Sequence, residues 1–453
     1  ADWLNVVGRV NLDNSDYRNK NEKSASTLTT FCGVSGGFED AMRQERSLYA
    51  DFLANIDKTF GDFHLTANVG ASIYHTSMDQ LYIAGDLVIP NFFQINNINF
   101  SANYKPDPTG YEDEIQSIFA SAELSWKNQL YLTVTGRNDW DSKLAFSKQK
   151  SFFYPSVGLS ALLSEMVKLP EVISYAKIRG SYTVVASSFD RFLTNPGYEY
   201  NSQTHNWANP TVYPMDNMKP EKTKSWEIGL NLKFWGNRFN LDATYYRSNT
   251  LNQTFKVDIP SSSGYKQAIV QAGNVQNQGL ELALGFNDKW AGFGWSSNAT
   301  FTLNRNKVKR LASGSVNPVT GEAIQMDEMN VGWLGKENVA PRVILTEGGS
   351  MTDIYVYNQL TKDNNGNIKV DQNGNLGITS SNTPVKVGNL DADFNLGWTN
   401  HFTYKGIDLG VVLSARVGGL AYSATQGILD YYGVSGTSAT ARDNGGIPIN
   451  NGK

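Results

Sequence analysis

Two segments that meet at a three-residue turn constrain this chain more than anything else in it. Residues 226–234 read Trp-Glu-Ile-Gly-Leu-Asn-Leu-Lys-Phe, and residues 238–246 read Arg-Phe-Asn-Leu-Asp-Ala-Thr-Tyr-Tyr. In the first, Trp226, Ile228, Leu230, Leu232 and Phe234 fall on one face, and Glu227, Gly229, Asn231 and Lys233 on the other. In the second, Phe239, Leu241, Ala243 and Tyr245 alternate with Arg238, Asn240, Asp242, Thr244 and Tyr246. A period of two belongs to β-strands, whose successive side chains leave opposite faces. One apolar face with aromatics near its ends, backed by a polar face, fits a sheet set between hydrocarbon and water. The expected fold class is therefore all-β, a transmembrane antiparallel β-barrel.

The pattern recurs. About thirteen strand candidates fall near 2–11, 47–60, 63–73, 115–126, 129–139, 152–163, 173–185, 222–234, 238–248, 277–286, 293–304, 393–404 and 407–416. Many span 10–13 residues. At ~3.3 Å per residue and a tilt of ~40°, that length crosses an apolar band of ~25 Å. Strands of ordinary soluble sheets are nearer five or six residues. Tight connections at Gly61-Asp62, Lys127-Asn128, Trp235–Asn237, Asn287–Gly292 and Lys405-Gly406 alternate with long ones at 12–46, 74–114, 186–221, 249–276 and 305–392. Such alternation is expected of one barrel domain over 1–453, with short periplasmic turns and long extracellular loops. The connection 164–172 goes with the short side by its place in the alternation, and 140–151 forms a modest outer loop.

Other hairpins agree. Ile118, Ala120, Ala122, Leu124 and Trp126 oppose Phe119, Ser121, Glu123 and Ser125, while Leu280, Leu282, Leu284 and Phe286 oppose Gly279, Glu281, Ala283 and Gly285. Phe394, Leu396, Trp398, Phe402 and Tyr404 share a face interrupted by Asn400, and Ile407, Leu409, Val411 and Leu413 follow the turn. Phe60, Trp126, Trp235, Trp290 and Tyr404 cluster at tight turns, where an interfacial aromatic girdle belongs. A soluble sandwich could also use aromatics in its core, but strand length and loop asymmetry count against it. Within 305–392, Ile354–Tyr357 followed by two Asn-Gly turns reads as a local hairpin.

Composition narrows the function. At 453 residues the chain exceeds the usual single globular core. Mean hydropathy is −0.38, and no run of ~18 apolar residues could form a transmembrane helix. A net charge of −4 and a pI near 5.7 offer no basic surface for nucleic acid. The one cysteine, Cys32, can form no intrachain disulfide and reads as a small residue in or near a loop. His64, His75, His205 and His401 lack metal-ligand spacing, with His64 and His401 on polar strand faces. There is no phosphate-cradling loop, and neither an enzyme nor a cofactor is expected. Asp363, Asn365 and Asn367 open like a calcium loop. Ile368 then replaces the turn glycine and Gly374 stands where a bidentate Glu is needed, so a hairpin turn is expected instead. The chain starts at Ala1 already in a strand pattern and stops in a loop-like Gly-Ile-Pro-Ile-Asn-Asn-Gly-Lys, so both ends read as cuts in a longer protein.

Glu123, Arg137, Glu227, Asp242 and Glu281 occupy polar strand faces and are expected to line the lumen, where they solvate the wall or touch a plug. A better ligand candidate is the stretch 190–213, which holds Asp190, Arg191, Phe192, Tyr198, Tyr200, His205, Trp207 and Tyr213. Aromatic rings beside hydrogen-bonding groups suit sugars, whose C–H faces stack on rings, and also peptides. Packing the loop, or contacting a lid, would use the same residues. Trp140, Tyr104, Tyr431 and Tyr432 are weaker versions of the same case.

At these residues the chain resembles a known family. Met218-Lys-Pro-Glu-Lys-Thr-Lys-Ser-Trp-Glu-Ile-Gly-Leu resembles the LKPExTxxWEIGL pattern of TonB-dependent outer-membrane receptors. Ala243-Thr-Tyr-Tyr-Arg-Ser-Asn-Thr and Gln271-Ala-Gly-Asn-Val-Gln-Asn-Gln-Gly-Leu-Glu-Leu resemble a stretch of SusC/RagA-type transporters. Tyr131-Leu-Thr-Val-Thr-Gly-Arg-Asn-Asp-Trp-Asp and Val387-Gly-Asn-Leu-Asp-Ala-Asp-Phe-Asn-Leu-Gly-Trp-Thr-Asn resemble two more of their segments. Leu390 stands where that family has Pro, and Gln271 where it has Asn. The resemblance implies part of a 22-stranded barrel in the bacterial outer membrane, with its plug domain, TonB box and closing strands not in this sequence. It also implies a SusD-like surface lipoprotein as lid, coupling to TonB through the missing N-terminal region, and import of oligosaccharides or oligopeptides in Bacteroidota-type bacteria. A dimer of transporter–lipoprotein pairs fits the same family.

Three other readings compete. A passive porin would need no plug, and a constriction loop would fold inward. A secreted β-rich adhesin or carbohydrate-binding protein would be soluble without detergent. An outer-membrane enzyme would need a Ser/His pair at the barrel rim, and no histidine has that context.

Overall fold

The computed structural model describes residues 2–100, 105–195, 197–201, 206–215, 218–259, 261–311, 322, 326, 328–336, 340–446 and 449. Two compact units emerge, one of residues 1–162, 179–224 and 254–270, the other of 163–178, 225–253 and 271–453.

In the first unit, β1 (Leu4–Lys23), β2 (Gly37–Phe60), β3 (Phe63–Asp86), β4 (Lys105–Trp126), β5 (Leu130–Asp141) and β6 (Phe152–Leu162) pair in chain order, each antiparallel to the next. β7 (Ile173–Ser187, of which 179 onward belongs here) follows β6 in the sheet. Their register converts the alternation into rows. Arg9, Asp51, Ser72, Ser117 and Asp139 lie side by side across five strands. Val6, Ala54, Val69 and Ala120 form a row on the opposite face, as do Leu4, Ile56, Ala67, Ala122, Val134 and Val157. The apolar rows are bare: Val10 is 75% exposed, Val69 54%, Ile118 56% and Leu159 52%. A contiguous apolar surface of that size is stable only when something other than water covers it, and lipid hydrocarbon does so.

The first four strands are far longer than the sequence pattern predicts. β2 and β3 reach 24 residues and β4 reaches 22, so much of 12–46 and 74–114, expected as loops, is strand. The reason is physical. Alternation is visible only where one face meets hydrocarbon. Beyond it both faces meet water, and a segment such as Arg43-Gln-Glu-Arg is polar on both sides while its backbone still pairs. At the far end of this hairpin, Phe38, Ile83, Leu87 and Ile98 make a small core, with Phe93 and Ile95 packed on it. Cys32, buried beside Gly37, belongs to the loop just before β2.

The outer connections of the first unit are packed rather than loose. Leu144, Phe152, Phe189, Met218 and Ile269 form a buried cluster with Tyr154, Ala186, Leu193, Val212 and Met215 against it. Residues 212–213 add as a parallel strand to 267–272. Residues 199–201 and 206–208 form a separate short hairpin.

In the second unit the strand order is β8 (Glu221–Phe234, of which 225 onward belongs here), β9 (Phe239–Leu251), β10 (Asn274–Trp290), β11 (Phe293–Arg310), β12 (Phe394–Tyr404) and β13 (Ile407–Val417). The tight turns take left-handed backbone, with φ of 49° at Trp235, 64° at Gly236 and 70° at Asn237, and 47° and 86° at Lys405 and Gly406. Positive φ twists a hairpin in the sense its strands require. Beside these turns Trp235, Phe239, Phe286, Trp290, Phe293 and Phe402 form an unbroken chain of rings, with neighbouring centroids 4.7–6.3 Å apart. Such a belt marks a membrane–water boundary.

Residues 305–392, expected as one loop, hold an antiparallel sheet of 328–333, 342–346, 353–360 and 378–389. The local hairpin expected from Ile354 onward is wider than its two Asn-Gly turns imply, since 353–360 pairs with 378–389 and both turns lie between them. Two helices follow, α1 (Ala424–Tyr431) and α2 (Gly436–Asp443). Among the described residues no helix is long and apolar enough to cross a membrane.

Candidate functional site

The polar face of the first unit is an ordered wall. The guanidinium of Arg9 grips Asp51 with Nε and Nη2, at 3.0 and 2.9 Å. Arg137 Nε donates to Asp139 at 2.7 Å and its Nη2 to Ser117 Oγ at 2.8 Å, while the Tyr154 hydroxyl donates to Asp139 at 2.7 Å. Arg137 also lies over the Phe119 ring at 5.6 Å. Thr133 donates to Glu123 at 3.1 Å, and in the second unit Asn231 donates to Asp242 at 3.0 Å. Partly hydrated pairs of this kind add little stability each, ~0–1 kcal/mol. Their consequence is a wall in which Asp51 and Asp139 are neutralised by arginines, while Glu123 and Asp242 are held by neutral donors.

The sequence candidates separate into different settings. Arg191 is an anchor for its loop: Nε donates to Asp113 at 2.6 Å, and the guanidinium covers the Tyr111 ring at 3.4 Å. Ser188, three residues earlier, donates to Asp141. Phe192 is exposed and held at φ 61°. Tyr198 stands exposed just before the short hairpin. Tyr200 and Trp207 face each other across that hairpin, with centroids 5.2 Å apart and both rings exposed. Tyr213 is half-buried, edge-on to Tyr265 at 5.1 Å. Trp140 pairs with Gln116 in the row of Val10, Ala50 and Ile73, on the apolar face. The alternation Leu132, Val134, Trp140 could have placed it there from sequence. Tyr104 and His205 lie outside the described residues.

The structure thus brings Tyr200 and Trp207 together into one aromatic tip and Tyr431 and Tyr432 into a second ring pair. Tyr111 and Tyr265 join candidate residues without any sequence signal, because their partners are distant in the chain. A second aromatic group, unseen in the sequence, lies in the outer sheet, where Arg342 is stacked on Trp333 and Tyr357. Nearby in the chain, Lys336 sits over the Tyr431 and Tyr432 rings, which meet edge to face at 5.0 Å.

The tandem turns use their carboxylates internally. Asp363 Oδ1 accepts from the backbone N–H of Asn365 and of Asn367, and Oδ2 accepts from Asn367 Nδ2 at 3.1 Å. Asp371 repeats the arrangement with Asn373 and Asn375. Both carboxyls are held below the ordinary range, first by the Asn side chain and then by the same residue's backbone N–H. His64, His75 and His401 each sit beside one carboxylate, Asp57, Glu114 and Asp408 respectively. Among the described residues no cluster of metal-binding side chains occurs.

One large groove, ≈ 740 Å³, opens between Gly8, Phe52, Ala71, Ile118 and Trp140. It belongs to the apolar face, so it meets hydrocarbon and is not a site for a water-borne ligand.

Comparison with known proteins fits this geometry. The family described as TonB dependent receptor-like, beta-barrel, matches residues 2–335. TonB-dependent receptor P3 of Formosa agariphila is 24% identical over 426 residues, covering 87% of this chain and 41% of that protein. TonB-dependent receptor SusC of Bacteroides thetaiotaomicron is 26% identical over 355 residues, covering 72% of this chain and 34% of SusC. The chain therefore spans less than half the length of these relatives. Among solved structures, the RagAB peptide transporter superposes with a TM-score of 0.74 at 16% identity, covering 92% of this chain and 46% of that one. The outer-membrane transporter YddB of Escherichia coli gives 0.55 at 11% identity, covering 92% and 49%.

Proposed function

Because this chain belongs to the TonB-dependent receptor β-barrel family, of SusC/RagA type, and lies in the bacterial outer membrane, we propose that it serves active import of an oligomeric nutrient. The family transports and does not catalyse. One observation carries the proposal: the same strands that bare an apolar face to lipid carry a wall of paired charges on the other. That wall gives a hydrated path with little net field to trap a polar solute.

In this reading the substrate is an oligosaccharide or an oligopeptide, and the exposed Tyr200–Trp207 tip makes first contact with it. Phe192, Tyr198 and Tyr213 contribute ring surface nearby in the chain, and Arg191 fixes their loop through Asp113. A SusD-like surface lipoprotein closes over the outer end, TonB supplies energy through the N-terminal region, and two transporter–lipoprotein pairs assemble together. No cofactor is required of this chain. The RagAB neighbour is described as a peptide importer, but at 16% identity it speaks for the fold alone.

The test is uptake of fluorescently labelled oligosaccharide and oligopeptide mixtures by cells with and without the gene, before and after a protonophore. Gene-dependent, protonophore-sensitive uptake of one mixture supports the proposal. Uptake that ignores the protonophore would point to a passive pore.

A further inference from the structure

We propose that Arg342 is the centre of a binding site for an acidic group, a carboxylate or a sulfate ester, carried by the imported oligomer. The site lies wholly within the second unit. Arg342, in the strand 342–346, packs its guanidinium 3.5 Å from the centroid of Trp333 and 5.0 Å from that of Tyr357. These rings, with Pro341, Tyr355 and Asn358, border a pocket of ≈ 370 Å³. That is room for about one sugar ring or one amino-acid side chain.

The cation is unusually placed for a chain with 43 acidic residues and a net charge of −4. Elsewhere Arg9, Arg18, Arg137 and Arg191 each hold an Asp. Arg342 Nε instead is buried and has no hydrogen-bond partner among the described residues. Stacking does not satisfy it, because rings engage the face of a guanidinium while its N–H groups point outward in the plane. A buried, unpaired N–H is unfavourable until an acceptor arrives. A planar anion fits that edge in the two-pronged manner that arginine favours.

A second cation supports the same ligand. Lys336 Nζ donates to the Tyr432 hydroxyl at 3.3 Å and sits over Tyr431 and Tyr432 at 5.0 and 5.4 Å. Gly335, beside Lys336, packs on the segment before α1, since a Cβ there would come within 3.2 Å of Tyr422. Two cations on aromatic platforms within seven residues of sequence suit an oligomer that is acidic and also has ring or C–H faces to stack.

That the ligand is the transported one rests on the import proposal above; binding itself does not. The test uses the full-length protein in detergent and calorimetric titration with tri-galacturonate and tri-glutamate, each beside its neutral methyl ester. Sulfated galactose oligomers form a third arm that separates sulfate from carboxylate. The expected result is binding of an acid form and not its neutral partner, weakened about tenfold to a hundredfold by Arg342→Gln. Trp333→Leu, which keeps the cation, weakens it several-fold and stands in if Arg342→Gln fails to assemble. Equal binding of acid and ester, or unchanged affinity in both variants, overturns the site. Arg342-dependent binding without energised uptake of the same acid would leave the site standing and sink the import reading.

Discussion

Val69 and Asn68 are neighbours in β3 that test which face meets lipid. Val69 sits in the apolar row with Ala54 and Ala120, and Asn68 in a polar row, where it donates to Ser121 Oγ at 2.7 Å. The turn-side ring pair Phe60–Phe63, stacked at 5.9 Å, marks one boundary. Val69 lies about six residues along a tilted strand from it, hence ~15 Å deep in a ~25 Å band, close to the midplane. An arginine there should cost ~2–4 kcal/mol, a shift of ~30- to 1000-fold in the folding equilibrium. Asn68→Arg loses one partly buried hydrogen bond, ~1 kcal/mol, and its charge can reach water. The assay is urea unfolding of the full-length protein in phosphatidylcholine vesicles, read by tryptophan fluorescence. Val69→Arg should lower the midpoint clearly more than Asn68→Arg. Equal losses, or a larger loss at Asn68, would refute the assignment of faces.

Three further outcomes follow from the geometry. Arg191→Ala removes both the Asp113 ion pair and the cover on Tyr111; it should expose 188–213 to limited proteolysis while the barrel keeps its heat-modifiable mobility, and an unchanged cleavage pattern would deny the anchor. Trp207→Ala and Tyr200→Ala should each reduce uptake of the labelled oligomer severalfold without changing assembly, and full uptake in the double variant would remove the aromatic tip from the pathway. Asp363 and Asp371 have depressed pKa values in the folded state, so their turns gain stability above the unfolded carboxyl pKa of ~3.9 and lose it as pH falls through the folded values. Carboxyl resonances followed by NMR should titrate below ~3.9 and move back up in Asn367→Ala for Asp363 alone.

What the sequence reveals follows from where hydrocarbon lies. All thirteen sheet strands are legible, because between Phe63 and Ile73, or Trp226 and Phe234, every second side chain must be apolar. Past Ile73 the requirement stops, so β3 continues to Asp86 with no signal in its side chains. The outer sheet of 328–389 is only partly legible: Ile354–Tyr357 reads as strand, while Val343–Leu345 is too short an apolar run to name one and Met329 stands among polar residues. The tight turns are legible because Gly236, Asn237 and Gly406 are residue types that tolerate positive φ. Site residues are less so. Arg191 meets an aspartate 78 positions away, and Arg342 draws its rings from either side along the chain, so no local spacing announces either. Trp140 was legible in principle, since period two carries it onto the face of Leu132 and Val134.

The most direct measurement is purification of the full-length protein from native outer membrane in mild detergent, with mass spectrometry of whatever copurifies. The import account predicts one surface lipoprotein in equal proportion, with an oligosaccharide or oligopeptide bound to the pair. A solitary barrel, with neither lipoprotein nor oligomer, would contradict it.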